Sequence, residues 1–230
     1  MAVLDDPEEI AQEFIAPWKI NEDALGALLV GSYAVGLETQ RSDIDVCIVL
    51  KEGVTFWQRG NTMVSGFLVE YAVYPLHYLK RLQEADLKEG KRLRIRMLAT
   101  GRILFGKGCV IKQLQRDARN LLKKKLSPLT KEQLELRKYY LWDQLDNLHD
   151  LAERQVPGFT YAYYAALQEI LALYAAFLCV EIPRPARMHR FISDDEFRMR
   201  YNIKPIPDKV FASMFERAMQ EPSLSLIDRL

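Results

Sequence analysis

Short apolar runs bounded by glycine or polar residues dominate the first third of the chain. Frequent Val, Ile, Tyr and Phe in these runs are typical of β-strands. The runs occupy residues 25–30, 44–50 and 63–74. Ahead of them, Pro7 in a first helical turn and Glu8 and Glu9 near the positive helix end predict a helix to about Ile15. We therefore predict a small sheet preceded by a helix.

Beyond Pro75 the apolar positions recur at helical rather than strand spacing. Thr130 and Gln133 are spaced as a capping box ahead of a long amphipathic stretch. A second such pair, Ser193 and Glu196, predicts another helix start nearer the C-terminus. We therefore predict an α/β (α+β) protein, in which a small mixed-sheet domain precedes an all-helical domain. The predicted domain bounds are residues 1–105 and 106–230.

The distribution of charge changes this picture more than the total charge does. The 230 residues carry 32 Lys plus Arg and 31 Asp plus Glu, and 49% are apolar, which excludes a disordered chain. Residues 1–80 hold five basic and twelve acidic side chains, whereas residues 81–125 hold fourteen basic and four acidic ones. A basic segment beside clustered carboxylates suits a phosphate-bearing ligand with metal ions. Solvated helix faces explain the same pattern.

Cysteine usage and hydropathy both favour a cytoplasmic protein. The three cysteines lie far apart without a CxxC pair, as is typical of reduced thiols rather than of disulfides or a zinc site. The most apolar stretch, residues 161–180, is broken by Gln168 and Glu169, which favours a buried helix over a membrane span. The N-terminus is acidic and lacks the apolar core of a signal peptide. We predict a cytoplasmic protein with no membrane partner.

The segment from Leu29 to Val49, LVGSYAVGLETQRSDIDVCIV, carries the clearest chemical motif. An apolar strand ends just before Gly31 and Ser32, and a Gly-Ser turn exposes N–H groups and a hydroxyl that can hold phosphate oxygens. Farther along, Asp43 and Asp45 alternate with apolar residues, so that a strand would place both carboxylates on one face. Such carboxylates repel each other unless a cation lies between them, and hard oxygen ligands suit Mg²⁺.

Glu70 is the single charged residue in the apolar run from Phe67 to Tyr74. A strand bordering the first two would place its carboxylate beside Asp43 and Asp45, as a third metal ligand. A solvent-facing glutamate on an edge strand explains this residue equally well when it is considered alone. The order of a Gly-Ser turn, an Asp-Ile-Asp strand and a later glutamate favours the metal site.

The run GSYAVGLETQRSDIDV resembles the signature of the polymerase-β-like nucleotidyltransferase superfamily. That signature is an apolar residue, Gly-Ser, a spacer of similar length and Asp-apolar-Asp, and Glu70 matches its third acidic position. The resemblance covers roughly residues 20–80. The helical remainder is similar, in order and size, to the C-terminal domain of small bacterial nucleotidyltransferases that modify aminoglycoside or lincosamide antibiotics.

This resemblance implies a set of roles for the residues that match it. Gly31 and Ser32 would hold phosphates of a nucleoside triphosphate, ATP or another, and Asp43, Asp45 and Glu70 would bind two Mg²⁺ ions. An acceptor hydroxyl would attack the α-phosphorus, so that a nucleotide, AMP from an ATP donor, is transferred and pyrophosphate is released. The implied acceptor is a small molecule such as an antibiotic.

Three further residues are candidates for the same chemistry. Arg41 and Ser42, which directly precede the first aspartate, are predicted to add phosphate contacts. An exposed loop position explains Arg41 equally well. Glu169 lies among alanines and leucines, where desolvation would favour a general base.

Two other functions stay open on the sequence. An antitoxin-like adenylyltransferase that acts on a partner protein would keep the same fold. A non-catalytic module would use the basic segment to bind nucleotide or nucleic acid. Intact acids at all three metal positions argue against such a degenerate site. The helical domain is also predicted to pair with a second copy as a homodimer.

Overall fold

The computed structural model describes residues 6–230, which form two compact units. The first unit comprises the chain up to Lys124 together with Arg200–Asn202. The second unit comprises Lys125–Met199 and Ile203–Leu230. A mixed sheet in the first unit and a helical C-terminal region confirm the predicted fold class.

A five-stranded mixed sheet forms the centre of the first unit. Its strands are β1 (Ala24–Val30), β2 (Ile44–Leu50), β3 (Gln58–Val64), β4 (Phe67–Pro75) and β5 (Arg102–Gly106). Across the sheet they are ordered β3-β4-β2-β1-β5. Strands β2 and β4 run parallel, and all other neighbouring pairs run antiparallel. The two strands that carry the predicted metal ligands are therefore direct neighbours.

Helices cover both faces of this sheet. They are α1 (Pro7–Phe14), α2 (Ala16–Ile20), α3 (Gly31–Val35), α4 (Leu76–Lys88), α5 (Leu93–Thr100) and α6 (Val110–Lys123). On one face, α1 buries Ile10 in a cluster with Leu29. On the other face, α4 and α6 bury Leu79 and Leu114 in a cluster with Cys47. Burial raises the pKa of the Cys47 thiol to about 12, so this cysteine is a small core residue in its protonated form.

The first unit continues to Lys124, beyond the division predicted at residue 105, because α6 belongs to its core. Ile111, Leu114 and Ala118 of this helix are buried against the sheet. They recur at three- and four-residue spacing, so that one face of α6 is apolar and the other is solvated. The amphipathic face of α6, rather than a change in composition, places this segment in the first unit.

The structure corrects the predicted strand at residues 63–74, which contains the end of β3, a turn and most of β4. Strands β3 and β4 are joined by a two-residue turn at Ser65 and Gly66, whose φ angles are 48° and 88°. Positive φ at both turn residues is the geometry that tight hairpins require. Strand β3 was not predicted, because its sequence QRGNTMV is mostly polar and exposed and lacks the apolar pattern of a strand.

Strand β5 was also missed, because residues beyond Pro75 were predicted to be helical throughout. Its sequence, RILFG, contains only three consecutive apolar side chains, Ile103–Phe105. A run of this length does not distinguish a buried strand from part of a helix. Pairing with β1, which places Leu29 opposite Arg102, is what makes it a strand.

The basic segment is used partly for internal structure, which the charge pattern did not predict. Arg92 and Arg96 are each only 9% exposed. Arg92 donates to the carbonyl oxygens of Leu122 (2.7 Å) and Lys124, and Arg96 to that of Tyr201 (2.7 Å). At least two of the fourteen positive charges therefore hold the first unit together instead of facing a ligand.

The second unit is helical. Thr130 caps the first of its helices, and its side chain and that of Gln133 form the predicted capping box. The second predicted box is wrong, because Asp194 rather than Ser193 caps the next helix by accepting from Phe197 N–H (2.8 Å). Among residues 6–230, no helix is long and apolar enough to cross a membrane. The helices of this region are α7 (Lys131–Glu153), α8 (Phe159–Phe177), α9 (Met188–Ser193), α10 (Asp195–Arg200), α11 (Lys209–Gln220) and α12 (Leu224–Ile227).

Asp208 joins the start of α11 to α8 within the second unit. Its carboxylate accepts hydrogen bonds from the N–H groups of Val210 and Phe211 (2.9 Å each) and from the Tyr174 hydroxyl (2.6 Å). These bonds, that of Tyr174 first, lower the pKa of Asp208 below its ordinary value of 3.8. Folding therefore favours the charged form of the Asp208 carboxyl group.

Asp208→Asn is expected to lower the urea midpoint at pH 7 and to have a smaller effect as the pH falls below about 4. Because the folded-state pKa lies below the unfolded-state value, the stabilisation is present above the unfolded pKa and is lost as pH falls through the folded pKa. Urea unfolding followed by circular dichroism from pH 7 to pH 3 measures the effect. Asp146→Asn, on an exposed part of α7, is the control. A loss that is equal at both pH values would contradict the prediction.

Candidate functional site

The pairing of β2 with β4 brings the three predicted metal ligands together. The parallel register places Asp45 directly beside Glu70. Strand alternation puts both side chains, with that of Asp43, on the face that α4, α5 and α6 cover. One carboxylate oxygen from each residue can be chosen so that all three lie within 4.8 Å of one another. All three residues are half-buried.

The absence of a side chain at Gly31 leaves room for the Asp45 carboxylate beside the adjoining turn. Strand β1 ends at Val30, which pairs with Asp45, so the chain leaves the sheet directly over that carboxylate. A Cβ atom on Gly31 would lie 2.0 Å from Asp45 Oδ2, well inside van der Waals contact. Gly31 also has a φ of 72°, which side-chain-bearing residues rarely adopt. Only glycine therefore satisfies both the backbone conformation and the space beside Asp45.

The Gly-Ser turn leads into a short helix. Helix α3 begins at Gly31 and ends at Val35, and the N–H of the capping residue Gly36 donates to the Ser32 carbonyl oxygen. Ser32 thus lies in the first turn after β1, next to the carboxylate cluster in the chain trace.

Arg41 and Ser42 lie in the loop that leads into β2. The Ser42 hydroxyl accepts a hydrogen bond from Thr39 N–H (2.9 Å), and Arg41 N–H donates to the Thr39 hydroxyl (3.3 Å). These bonds shape the loop just before Asp43. The Arg41 side chain is exposed, and a phosphate role for these two residues stays a prediction.

Arg59 is a residue of this site that the sequence analysis did not identify. Its Nε donates to Glu70 Oε1 at 3.0 Å, and Nη2 contacts the same oxygen. The pKa of the guanidinium is raised, chiefly by its hydrogen bond to Glu70, and the charge of Asp45 acts in the same direction. The Ser-Gly dipeptide at 65–66 signals a turn inside the apolar run and would have revealed the hairpin that contains Arg59.

The donor set fits a hard divalent cation. Carboxylate oxygens are the ligands that Mg²⁺ takes most readily in proteins, and the three groups lie close enough to share an ion. Their mutual repulsion falls when a cation binds between them. Asp43, Asp45 and Glu70 are the residues that would hold the metal.

Glu169 does not have the desolvated setting that the sequence predicted. Glu169 is exposed on α8 in the second unit. Ala166 and Ile170 belong to the buried stripe of this helix, and Glu169 lies beside that stripe on the solvent side. The cavity beside it has a volume of about 60 Å³. Small-molecule sites generally exceed about 300 Å³. Neither feature supports a general base in a substrate pocket of this unit.

Glu169→Gln is accordingly expected to keep turnover within about twofold of the unaltered protein, because a general base contributes roughly 10²- to 10⁴-fold. Initial rates of pyrophosphate release at saturating nucleotide measure this. A loss of a hundredfold or more would contradict the prediction and restore Glu169 as a base.

A larger cavity, about 500 Å³, lies beside α3 but is separate from the carboxylate cluster. Arg102, one of its residues, pairs with Glu8 of α1 at 3.1 Å. Its side chain therefore points to the α1 face of the sheet, opposite the face of Asp45. None of the predicted metal or phosphate residues borders this cavity, which is lined by Tyr33, Ala34, Val35, Gly36, Glu38, Thr100, Arg102 and Arg200.

Comparison with known proteins agrees with the geometry of the carboxylate cluster. The family model of the nucleotidyltransferase domain matches residues 8–141, more than half of the chain. The chain belongs to the nucleotidyltransferase domain family. The match includes all three carboxylates, Gly31 and Ser32, and it confirms the resemblance drawn from the motif. Nucleotidyl transfer in general is thereby supported as the activity.

Two other comparisons add context to the family assignment. A search of curated proteins gives no match. Among solved structures, the chain is similar to a nucleotidyltransferase-like protein from Exiguobacterium sibiricum 255-15, with 12% sequence identity and a TM-score of 0.44. That similarity covers 97% of this chain and 75% of the other chain.

Proposed function

We propose that this nucleotidyltransferase transfers a nucleoside monophosphate, AMP from an ATP donor, to a hydroxyl group of a small molecule such as an antibiotic. Pyrophosphate is the second product. One observation carries the proposal: a chain of this family holds three carboxylates within 4.8 Å of one another directly beside the Gly31-Ser32 turn.

The carboxylates are proposed to bind Mg²⁺, which the triphosphate also needs to neutralise its charge. Asp43 and Asp45 would hold the ion common to the protein and the phosphates, and Glu70 would complete a second site nearer the acceptor. When bound, Mg²⁺ would stabilise charge that develops on the phosphoryl oxygens and on the acceptor oxygen. The protein's part is to fix the ligands on two adjacent strands of a rigid sheet.

Gly31 and Ser32 are proposed to receive the outer phosphates of the donor. The absence of a side chain at Gly31 lets the backbone come close to Asp45, and therefore close to any phosphate that shares its metal. Arg41 and Ser42 border the same aspartates and are proposed to add phosphate contacts. Holding the triphosphate between the turn and the carboxylates would align the leaving pyrophosphate with the attacking hydroxyl.

A small-molecule acceptor is favoured over nucleic acid by how the basic segment is used. Arg92 and Arg96 are buried and bonded to backbone carbonyl groups, and Arg94 pairs with the buried Asp86 (2.5 Å). These charges are not available to a phosphate backbone, which binds through exposed basic side chains. The sequence of a nucleotidyltransferase domain and a helical unit further resembles small antibiotic-modifying enzymes.

A product assay tests the proposal directly. The protein is incubated with Mg²⁺, each of the four nucleoside triphosphates in turn, and a panel of aminoglycosides, lincosamides and simpler polyols. We expect pyrophosphate release that depends on one acceptor, and a mass gain of one nucleoside monophosphate on that acceptor. Labelling of a partner protein or of RNA in parallel reactions would contradict the small-molecule acceptor. Asp45→Asn is the inactive control.

A further inference from the structure

Glu70 is engaged by a cationic side chain on the neighbouring strand of the hairpin. The antiparallel register of β3 and β4 places Asn61 opposite Glu70 and Arg59 opposite Ala72. Arg59 is therefore the diagonal neighbour of Glu70 on the same sheet face, a separation that a long side chain spans. Both Nε, at 3.0 Å, and Nη2 contact the single oxygen Oε1.

The guanidinium supplies positive charge where a divalent ion would otherwise supply it. Three carboxylates with oxygens within 4.8 Å of one another carry up to three negative charges. Asp45 lies directly beside Glu70 in the register of β2 and β4, so the guanidinium that contacts Glu70 also lies near a second carboxylate of the cluster. The Arg59 side chain is 56% exposed and that of Glu70 is 31% exposed. An ion pair of this exposure is weak enough for a stronger cation to displace.

We propose that Arg59 is a built-in counter-ion that holds Glu70 until a second divalent ion displaces it, so that metal binding is stepwise. The first ion binds to the Asp43–Asp45 pair, which does not require the ion pair to break. The second ion needs Glu70 and binds more weakly, because the guanidinium has to leave first. A nucleotide triphosphate adds its own oxygens and would favour that second step. This inference rests on the proposed function only in taking the three carboxylates as metal ligands.

Mn²⁺ binding to the nucleotide-free protein tests the inference without any transfer reaction. Isothermal titration calorimetry, with electron paramagnetic resonance to count unbound Mn²⁺, measures both affinities. The unaltered protein should show one tighter and one weaker site. Arg59→Gln should tighten the weaker site about tenfold, because a positive charge next to it is lost. Arg59→Lys keeps the charge but loses the contacts of two nitrogen atoms with Glu70, and it should tighten the weaker site less.

Two variants serve as controls for this titration. Lys51→Gln removes a cation of similar exposure, 53%, from an ion pair with Asp23. Lys51 follows the far end of β2, roughly 20 Å from Asp45 along the strand and well beyond the Debye length, so its loss should change neither affinity by more than about twofold. Glu70→Gln should abolish the weaker site and keep the tighter one. Circular dichroism melting checks that each variant is folded.

The outcomes separate this inference from the proposed function. Two Mn²⁺ sites whose affinities are the same in the unaltered protein and in Arg59→Gln would overturn the counter-ion role and leave nucleotidyl transfer standing. Equal tightening by Arg59→Gln and Lys51→Gln would overturn it as well, because a general charge effect would then explain the change. A nucleotide-free protein without saturable Mn²⁺ binding would overturn the counter-ion role, whereas nucleotidyl transfer is decided by the product assay.

Discussion

Asp45→Asn is expected to lower kcat/KM for nucleotidyl transfer by about 10³-fold or more. Asparagine keeps the shape of the side chain but removes one negative charge and a hard anionic ligand at the centre of the cluster, where Asp45 contacts both the Gly31 turn and the strand of Glu70. Initial rates of pyrophosphate release measure the loss. The free energy of unfolding should stay constant or rise, because repulsion among the three carboxylates is relieved.

Asp23→Asn is the matched control for this variant. Asp23, whose side chain is 43% exposed, pairs with Lys51 at the opposite end of the sheet (2.6 Å). Its replacement removes the same charge without touching the cluster, so the transfer rate should stay within about twofold, as for other surface substitutions. Transfer by Asp45→Asn at more than about a tenth of the normal rate would show that the carboxylate cluster is not the reactive centre.

Gly31→Ala is expected to reduce nucleotidyl transfer by about 10²-fold or more while costing roughly 1–2 kcal/mol of stability. The stability loss follows from forcing alanine into a backbone conformation with a φ of 72°. The activity loss follows because the new Cβ would lie 2.0 Å from Asp45 Oδ2 and must push that carboxylate aside. Urea unfolding measures the stability effect, and initial rates and Mn²⁺ titration measure the effect on the site.

Gly108→Ala separates the two effects. Gly108 has a φ of 66°, and a Cβ there would meet nothing within 4 Å. This variant should therefore lose a similar amount of stability, roughly 1–2 kcal/mol, and keep its activity. If both variants lost activity equally, or if Gly31→Ala remained fully active, the close contact of Gly31 with Asp45 would have no catalytic importance.

The local part of the site could be predicted because it lies in one continuous run of sequence. Neighbouring side chains in this run encode both the turn and the strand that carry the predicted residues, which are Gly31, Ser32, Asp43 and Asp45. The predicted strand at residues 44–50 coincides with β2. Side chains alternate along a strand, so the local sequence decides which of them share a face.

Distant parts of the site required knowledge of strand pairing. Glu70 was predicted on the condition that its strand borders the first two, and the family resemblance supported that choice, since nothing in its own run specifies which strand lies beside it. Arg59 was missed because β3 is polar, and its contact with Glu70 exists only in the hairpin register. Glu169 was wrongly expected to be desolvated, because the composition of a helix does not show which face is covered.

Sequence alone was sufficient for the turn chemistry, the carboxylate pair, the capping box at Thr130 and the succession of a sheet domain and a helical region. Each of these depends on interactions between residues close together in the chain. The tertiary fold alone decided that Glu70 lies beside Asp45, that Arg59 reaches Glu70, and that α6 belongs to the first unit. These features depend on which distant segments pack together, and that choice is made by burial over the whole sheet rather than by any local pattern.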